Sequence, residues 1–342
     1  MEILDEISDL VKNGYKEIIL LGQNVNSYKS QISSISCHSA FDAESIITHN
    51  SPTHNNPNNK PNPANWIPAS AGMTQSVNFP ILLKLINAIP GDFWIRFLTS
   101  HPKDMTEELI KTVSECEKCA EYIHLALQSG DDEILKKMNR KYTAEYYLKL
   151  IKKIRASFAS IRSGFGRYPA ISTDIIVGFP GETEKQFLHT AKVMKEAKFD
   201  MAYLNKYSPR AGTASAKLDD DVSWEEKKRR ENILNEILRK TALENNQKYI
   251  GEVVETLVEK INNNLIYGKT RSFKNVKITA GSIVPSGLWS QNAKRDKSQS
   301  MNAKRLHSLE ARTMEPANLI GQFVKIKITR AGAWGLEGEI AE

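Results

Sequence analysis

The chain has 342 residues, of which 40% are hydrophobic and 25% charged, and its formal net charge is +7. At roughly 150 residues per domain this length predicts two domains, and the composition is typical of a globular rather than a disordered protein. The longest apolar run, residues 18–21, is far shorter than the roughly 18 residues needed to cross a bilayer, so no membrane partner is expected.

The first residues predict a helix followed by a buried strand. Apolar residues recur at helical spacing over residues 3–11, Gly14 is suited to end the helix, and residues 18–21 form a continuous apolar strand. Residues 29–78 interrupt this order with Asn, Ser, His and Pro. We expect an inserted, mostly disordered segment there, because structureless stretches of this length are rare inside compact domains.

Helices and strands alternate between Phe79 and Tyr207. Strands are predicted at residues 93–98, 122–127, 171–177 and 201–207. Helices are predicted around residues 82–86, after Asp104 and Glu107, from Thr143 to Ile154, and after Thr183 and Gln186. This alternation predicts an α/β fold with a parallel sheet, either open or closed as a barrel. Residues 157–168, with two glycines, suggest a second and shorter insertion.

The last third of the chain changes character. Ser223 and Glu226 are spaced to cap a long helix that runs to about Tyr249. Short β runs at residues 253–258, 276–278 and 324–328 then predict a small all-β barrel. Residues 287–316 contain the word Asn-Ala-Lys-Arg twice and are interpreted as a low-complexity insert. The predicted domains are residues 1–218, a connecting helix over 219–250, and the β domain over 251–342.

Polar residues and glycines follow four of the predicted strands. They occupy residues 22–24, 99–102, 128–130 and 178–183. Because ligands bind at the carboxyl ends of parallel strands, we expect these clusters to form one site. Residues 178–183 also place a glycine turn before a helix, which suits an anion, but their spacing is neither a Walker loop nor a dinucleotide fingerprint. Each cluster alone is equally compatible with ordinary turn chemistry.

The cysteines and the basic runs carry weaker signals. Cys116 and Cys119 form a CxxC pair that no second pair completes, so we expect ordinary thiols rather than a zinc site. Three cysteines and an acidic N-terminus favour a cytosolic protein. The basic run at residues 227–230 is compatible with an RNA contact or with a solvated helix face. Basic residues that interleave with aromatic ones at 267–274 predict phosphate contacts and base stacking, with ordinary surface lysines as the alternative.

Several motifs in fixed order resemble the radical S-adenosylmethionine methylthiotransferases, and most closely the branch that modifies isopentenyl-adenosine in tRNA. The matching words occupy residues 20–28, 95–102, 124–130, 138–142, 172–183, 206–213 and 319–322, and include Gly-Phe-Pro-Gly-Glu-Thr at 178–183. Apart from the inserts, the similarity covers nearly the whole chain.

The resemblance implies a partial (β/α) radical-SAM-type barrel followed by a small all-β TRAM barrel that binds RNA. It also implies a tRNA methylthiotransferase that uses S-adenosylmethionine and 4Fe-4S clusters, with tRNA as its partner. Nine residues are implied to bind S-adenosylmethionine: Gln23, Ser100, Gln128, Ser129, Asp174, Gly178, Phe179, Pro180 and Gly181. Six residues are expected near the RNA: Lys206, Arg210, Lys269, Arg271, Phe273 and Lys274.

The sequence departs from the family in its cluster ligands. The family's N-terminal cluster cysteines and its CxxxCxxC motif do not occur in this sequence, and Ala126 stands where the family usually has Pro. We therefore expect the C-terminal portion of such an enzyme, unable to hold an iron–sulfur cluster by itself. The alternatives are a non-catalytic tRNA-binding remnant, or one half of a split enzyme whose separate N-terminal chain carries the clusters. An unrelated barrel hydrolase would need an acid–base or metal constellation, and the strand-end clusters contain none.

Overall fold

The computed structural model describes residues 2–32, 75–98, 100–161, 169–262, 265–278 and 319–341. The helices are α1 Glu2–Lys12, α2 Phe79–Ala88, α3 Glu107–Glu115, α4 Asp132–Lys137, α5 Ala144–Ile161, α6 Glu184–Ala197 and α7 Trp224–Gln247. The strands are β1 Glu17–Leu20, β2 Lys29–Ile32, β3 Gln75–Asn78, β4 Trp94–Phe97, β5 Tyr122–His124, β6 Ala170–Val177, β7 Met201–Lys206, β8 Val253–Asn262, β9 Leu265–Thr270, β10 Asn275–Ile278, β11 Phe323–Gly332 and β12 Gly335–Ile340. Over these ranges, no helix combines the length and apolarity that a bilayer crossing requires.

Five parallel strands lie in the order β1-β4-β5-β6-β7. Regular pairing joins β1 to β4 and links β5, β6 and β7, and single bridges at Ile95–Cys119 and Ser100–Leu125 connect the two groups. Strands that neighbour one another in chain order, with helices between them, are the arrangement of (β/α) barrels. Within the described ranges β1 and β7 do not pair, so the barrel is partial. The predicted α/β fold is confirmed.

The two faces of this sheet differ in chemistry because side chains alternate along each strand. Ile95, Ile123 and Ile171 are fully buried in the main core with the helices. Arg96 and His124 follow Ile95 and Ile123 in sequence, so their side chains lie on the opposite, inner face of the sheet. That inner face is therefore polar, and it carries the groups that form the candidate site.

The C-terminal strands form a closed five-stranded barrel in the order β10-β12-β11-β8-β9. This confirms the predicted small β barrel, whose predicted β runs did not include β12 and gave no bounds for β9. Both contain a glycine where strands approach closely: a methyl group would lie 2.3 Å from the Leu257 carbonyl oxygen at Gly268, and 2.5 Å from the Lys327 carbonyl oxygen at Gly338. Glycine is depleted in strands, so strand propensity gave no signal at these two positions.

Two predicted inserts are partly ordered. Strands β2 and β3, the ends of the predicted insert at 29–78, pair in antiparallel fashion, so the prediction of disorder is wrong for these residues. Helix α5 continues through Ile161, and Phe158 on it is fully buried, so residues 157–161 are not an insertion. The rest of these predictions, at residues 33–74 and 162–168, lies outside the described residues, as does the predicted insert at 287–316.

Helix caps were mostly predicted correctly. Thr183 and Gln186 form the predicted reciprocal capping box at the start of α6, and Ser223 Oγ accepts from the Glu226 N–H at 3.2 Å at the start of α7. The cap of α3 is different: Thr106 Oγ1 accepts from the Leu109 N–H at 3.2 Å. The Asp104 predicted there instead accepts a hydrogen bond from Asn24.

Candidate functional site

The structure brings the predicted strand-end clusters to one edge of the parallel sheet. The segments after β1, β4, β5 and β6 begin at this edge because all four strands run in the same direction. The Ser100 N–H donates to the His124 carbonyl at 3.2 Å, and the Gln128 N–H donates to the Asp174 carbonyl at 2.8 Å. The clusters after β4 and β5 are thus each bonded to the neighbouring strand. Gln23 is exposed at the end of β1, and Thr99 lies outside the described residues.

Several polar atoms near this edge are buried without a hydrogen-bond partner among the described residues. They are Asn24 Oδ1, both amide atoms of Asn26, Ser100 Oγ and Arg140 Nε. Asn24 is fixed on its other side, because its Nδ2 donates to Asp104 Oδ2 at 2.6 Å. Buried polar side chains nearly always have partners. A concentration of unpartnered ones at the carboxyl edge indicates a site for a polar ligand.

A hydrogen-bond chain crosses the inner face of β5 and β6. The Tyr122 hydroxyl lies 2.6 Å from Ser172 Oγ, which lies 2.9 Å from His124 Nδ1. His124 Nε2 lies 3.1 Å from Asp174 Oδ2. Burial raises the pKa of the Tyr122 hydroxyl, which keeps it protonated as a donor. The chain fixes the orientation of Asp174, whose carboxylate is half-buried at the candidate site.

The segment after β5 has two different roles. Gln128 adopts φ 70°, a left-handed conformation that is uncommon outside glycine. Ser129 is fully buried, and its Oγ accepts from the Asp131 N–H at 3.2 Å and lies 3.3 Å from Thr190 Oγ1. The hydroxyl ties this segment to α6, and the contact of Ser129 with S-adenosylmethionine stays a prediction.

The glycine turn after β6 is closed by the protein's own carboxylates. The Gly178 N–H donates to Glu182 Oε2 and the Gly181 N–H donates to Asp221 Oδ1, both at 2.7 Å. The side chain of Phe179 is buried 5.2 Å from the Tyr207 ring, and Pro180 is buried beside it. These two N–H groups are already paired, so the anion-binding role that the glycine spacing suggested is wrong for them.

Helix α7 supports this turn with buried charges. Arg230 Nη1 donates to Glu182 Oε2 at 2.8 Å, and Lys227 Nζ donates to Asp220 Oδ1 at 2.5 Å. Burial raises the pKa of Glu182, although Arg230 opposes this effect. A methyl group at Gly178, which has φ +67°, would lie 2.4 Å from Lys227 Cγ. Lys227 and Arg230, half of the basic run at 227–230, are thus packed against the turn. Neither an RNA contact nor a solvated helix face, the two alternatives for this run, describes these two residues.

At the end of β7, Lys206 and Arg210 are placed beside this support. Lys206 Nζ lies 2.6 Å from Glu231 Oε2 and 5.1 Å from the centre of the Trp224 ring. Arg210 is exposed. Both residues lie at the same edge as the strand-end clusters.

The residues that were expected to contact RNA on the barrel mostly face the α/β domain. Arg271 Nε lies 3.0 Å from Glu121 Oε2, and Lys274 Nζ lies 2.5 Å from Asp200 Oδ1. Lys274 is 7% exposed. These two cations join the two domains, and their contact with RNA phosphates stays a prediction. Lys269 remains half-buried at the rim, 3.1 Å from Glu259.

The Phe273 ring is also occupied by protein contacts. Its centre lies 4.7 Å from that of Tyr122, and the cationic groups of Arg96 and Lys269 lie over it at 4.9 and 4.5 Å. Phe273 has φ 62°, an outlier for so bulky a side chain. The ring thus packs in the contact between the two domains, and its role in base stacking stays a prediction.

Of three further residues at the edge, Asn26, His101 and Arg140, the sequence prediction missed Asn26 and Arg140 and included His101 only within the cluster at 99–102. The ring centres of His101 and Tyr142 are 5.5 Å apart. Burial, together with the nearby charge of Arg140, lowers the pKa of His101. All three lie inside the motif words at 20–28, 95–102 and 138–142, and that position was the available signal.

The described residues do not fit a 4Fe-4S cluster. Among them, no group of three or more His, Cys, Asp and Glu is placed to hold a metal ion. Cys116 and Cys119 are buried, and neither forms a disulfide with a described residue; the third cysteine, Cys37, lies outside the described residues.

Comparisons with known proteins agree with the motifs. The Radical SAM superfamily matches residues 1–194. A curated relative, tRNA-2-methylthio-N(6)-dimethylallyladenosine synthase of Clostridium novyi, is 39% identical over 341 residues, which cover 99% of this chain and 57% of the relative. The synthase of the same name from Acetivibrio thermocellus is 35% identical over 342 residues, covering 99% of this chain and 54% of the relative. The chain thus spans little more than half the length of these relatives.

One solved structure is a distant match. Coproporphyrinogen III oxidase from Escherichia coli, described as a Radical SAM enzyme, is 19% identical with a TM-score of 0.38, and the match covers 47% of this chain and 36% of that one. This likeness is too low to support an argument about the fold or the site.

Proposed function

The chain belongs to the Radical SAM superfamily, and on this premise we propose that it forms the cofactor-binding and tRNA-orienting part of a tRNA methylthiotransferase. The observation that carries the proposal is the pair of buried, unpartnered oxygens at the carboxyl edge, Asn24 Oδ1 and Ser100 Oγ. The names of the relatives support the choice of tRNA, and of its N(6)-dimethylallyladenosine (isopentenyl-adenosine), as the substrate. That this adenosine lies next to the anticodon is part of the proposal. A cytosolic location stays a prediction.

The polar groups at the edge suit S-adenosylmethionine. This ligand presents an amino group, a carboxylate, ribose hydroxyls and an adenine ring. Asn24 and Ser100 would accept from its amino or hydroxyl groups, Asp174 would accept from the amino group or the ribose, and the Arg140 guanidinium would bind the carboxylate. When bound, S-adenosylmethionine supplies radical chemistry, and the residues of this chain bind and orient it.

Gln23, Gln128 and the glycine turn complete the proposed cofactor site. Gln23 is exposed and Gln128 lies in the neighbouring segment. Since the N–H groups of Gly178 and Gly181 bind carboxylates, the turn would contribute shape and carbonyl oxygens. The buried Glu182–Arg230 pair would act as a positioning element that keeps this shape fixed.

We further propose that the five-stranded barrel is a TRAM domain that binds tRNA. Buried ion pairs from Arg271 and Lys274 fix it to the α/β domain. RNA held by the barrel would therefore have a defined orientation relative to the carboxyl edge, where Lys206 and Arg210 would meet the substrate. The proposed domains remain residues 1–218, 219–250 and 251–342.

A second candidate is a tRNA-binding protein without catalysis, or one half of a split enzyme whose separate N-terminal chain carries the clusters. It is favoured by one observation: the residues that the structure describes hold no metal-binding group. All of these candidates share the proposed cofactor site and the proposed RNA partner. The tRNA-binding protein forms no product, whereas the split enzyme forms product only together with its N-terminal chain.

The cofactor site is tested by calorimetric titration with S-adenosylmethionine. Ser100→Ala should weaken binding by about 2- to 12-fold, the value of one hydrogen bond. Ser160→Ala, on the exposed side of α5, is the matched control and should bind like the wild type. Wild-type protein that binds no S-adenosylmethionine, or equal affinity in both variants, would contradict the assignment.

Catalysis is tested by adding the portion of the Clostridium novyi relative that this chain does not match. Mass spectrometry of tRNA nucleosides then measures methylthiolated adenosine. Product that needs both chains supports an enzyme. Its absence, with cofactor and tRNA binding intact, supports the non-catalytic candidate.

A further inference from the structure

We propose that a second nucleotide of the bound RNA, distinct from the one that reacts, is held in a cleft between the α/β domain and the β barrel. This inference rests on the proposed tRNA-binding function and adds a binding site to it. The ligand class is an unpaired nucleobase with its ribose and phosphate.

The cleft lies at the amino ends of the parallel strands. It has a volume of about 270 Å³, and Tyr122, Ala170 and Met201, the first residues of β5, β6 and β7, form one wall. The β9–β10 and β11–β12 turns form the other. Seven steps along β6 at ~3.3 Å each separate its two ends by about 23 Å. A base in this cleft is therefore several nucleotides away from one at the carboxyl edge.

Two aromatic side chains in the cleft are strongly exposed. Trp334 is 52% exposed and Tyr203 is 46% exposed, and both line the cleft. An exposed aromatic surface in a cleft indicates a binding site more often than a lone exposed apolar residue does. Aromatic faces of this kind stack with unpaired bases in single-stranded RNA sites.

The cleft also offers polar groups for a nucleotide. Asn246 is 2% exposed and lines the cleft. Its Nδ2 donates to the Gly332 and Ala333 carbonyls at 2.8 and 3.1 Å, whereas its Oδ1 accepts no bond from any described residue. An N–H on a base edge would satisfy that oxygen. Lys269, whose side chain is 26% exposed, supplies a cation for the phosphate.

The neighbouring groups in this region are already engaged. Lys274 is paired with Asp200, and the Phe273 ring contacts Tyr122, Arg96 and Lys269. In this proposal Trp334 and Tyr203 stack with the base, instead of Phe273, which the sequence suggested. These two residues have exposed rings in the same cleft.

The test uses fluorescence anisotropy with a labelled single-stranded RNA hexamer, the same hexamer without bases, and an anticodon stem–loop. Trp334→Ala and Tyr203→Ala should each weaken binding of the base-bearing hexamer by about 5- to 150-fold. Trp334→Phe should restore most of the affinity. Tyr146→Ala, an aromatic of similar exposure on α5, is the control and should change nothing. Thermal unfolding verifies that every variant is folded.

The outcomes separate this inference from the proposed function. If the wild type and the Trp334→Ala variant bind the base-bearing hexamer with equal affinity, the inference is overturned. A protein segment would then be the remaining candidate to fill the cleft. Equal weakening of the hexamer without bases would also overturn it, because stacking would not be the cause. Failure of the wild type to bind the stem–loop would overturn the RNA-binding function as well. Binding of S-adenosylmethionine should be unchanged in the Trp334→Ala variant, since Trp334 lies at the amino ends of the strands. Tyr203 pairs with Asp174 in the sheet, so Tyr203→Ala is not used for this comparison.

Discussion

Replacing Arg271 by Met should loosen the contact between the two domains rather than remove a contact with RNA. The guanidinium donates to both oxygens of Glu121 at 3.2 and 3.0 Å. It also donates to the Glu117 and Cys119 carbonyls at 2.6 and 2.8 Å. Glu121 is fully buried, and the Arg271 side chain is 19% exposed. Met keeps most of the aliphatic packing and removes all four hydrogen bonds.

The expected loss of stability follows from this geometry. Breaking a buried ion pair by removing one partner costs about 3–5 kcal/mol. Arg271 is partly exposed, so we expect the lower end, about 3 kcal/mol, which is roughly a 150-fold change in the folding equilibrium. Arg330→Met is the matched control: its side chain is 80% exposed and lies 3.4 Å from Glu337. An exposed pair contributes only about 0–1 kcal/mol.

Urea unfolding followed by circular dichroism measures both variants, and tRNA affinity is measured against salt concentration. A phosphate contact would lower the slope of log affinity against log salt by about one unit when removed. The interface role instead predicts an unchanged slope with a large loss of stability. If Arg271→Met is as stable as Arg330→Met and lowers the slope by one unit, the domain-contact interpretation is refuted.

Two further predictions concern the candidate cofactor site. Gly178→Ala should lower stability by about 1–3 kcal/mol and weaken binding of S-adenosylmethionine, because the new methyl group meets Lys227. Gly212→Ala, at φ +83° with open space around it, is the control. In calorimetric titration it should leave the affinity for S-adenosylmethionine unchanged. Burial lowers the pKa of His101 below its ordinary 6.5, so its contribution to stability is present above pH 6.5 and is lost as pH falls through the folded pKa. His101→Gln should therefore flatten the dependence of the unfolding free energy on pH between about 7 and 5, and an unchanged dependence would show that another group is responsible.

Local patterns in the sequence predicted the elements well where one signal dominates. The apolar spacing of α1, the apolar residues 175–177 at the end of β6 and the capping box of Thr183 and Gln186 each depend on neighbours in sequence. The predicted β runs did not include β12 and gave no bounds for β9, because Gly268 and Gly338 are required by close backbone approach, which only the paired strand reveals. The carboxyl edge was predictable since parallel strands place their ends together.

The roles of individual charges were not predictable in the same way. Arg271 and Glu121 are 150 positions apart in the chain, so no local pattern distinguishes this buried pair from a solvated cation. The same holds for Lys274 and Asp200. Composition identified a basic and aromatic cluster, but only the packing of the barrel decides which of its members face solvent.

Helix α7 links the two proposed binding regions mechanically. Near its start, Lys227 and Arg230 are buried against the glycine turn through Asp220 and Glu182. Near its end, Asn246 binds the backbone of the β11–β12 turn, beside Trp334. At 1.5 Å per residue, the 19 steps from Lys227 to Asn246 span about 29 Å. Because contacts with the glycine turn and with the barrel hold the two ends of α7, the length of this helix sets the distance between the cofactor turn and the barrel cleft. RNA held at the cleft would for this reason meet the carboxyl edge in a single register.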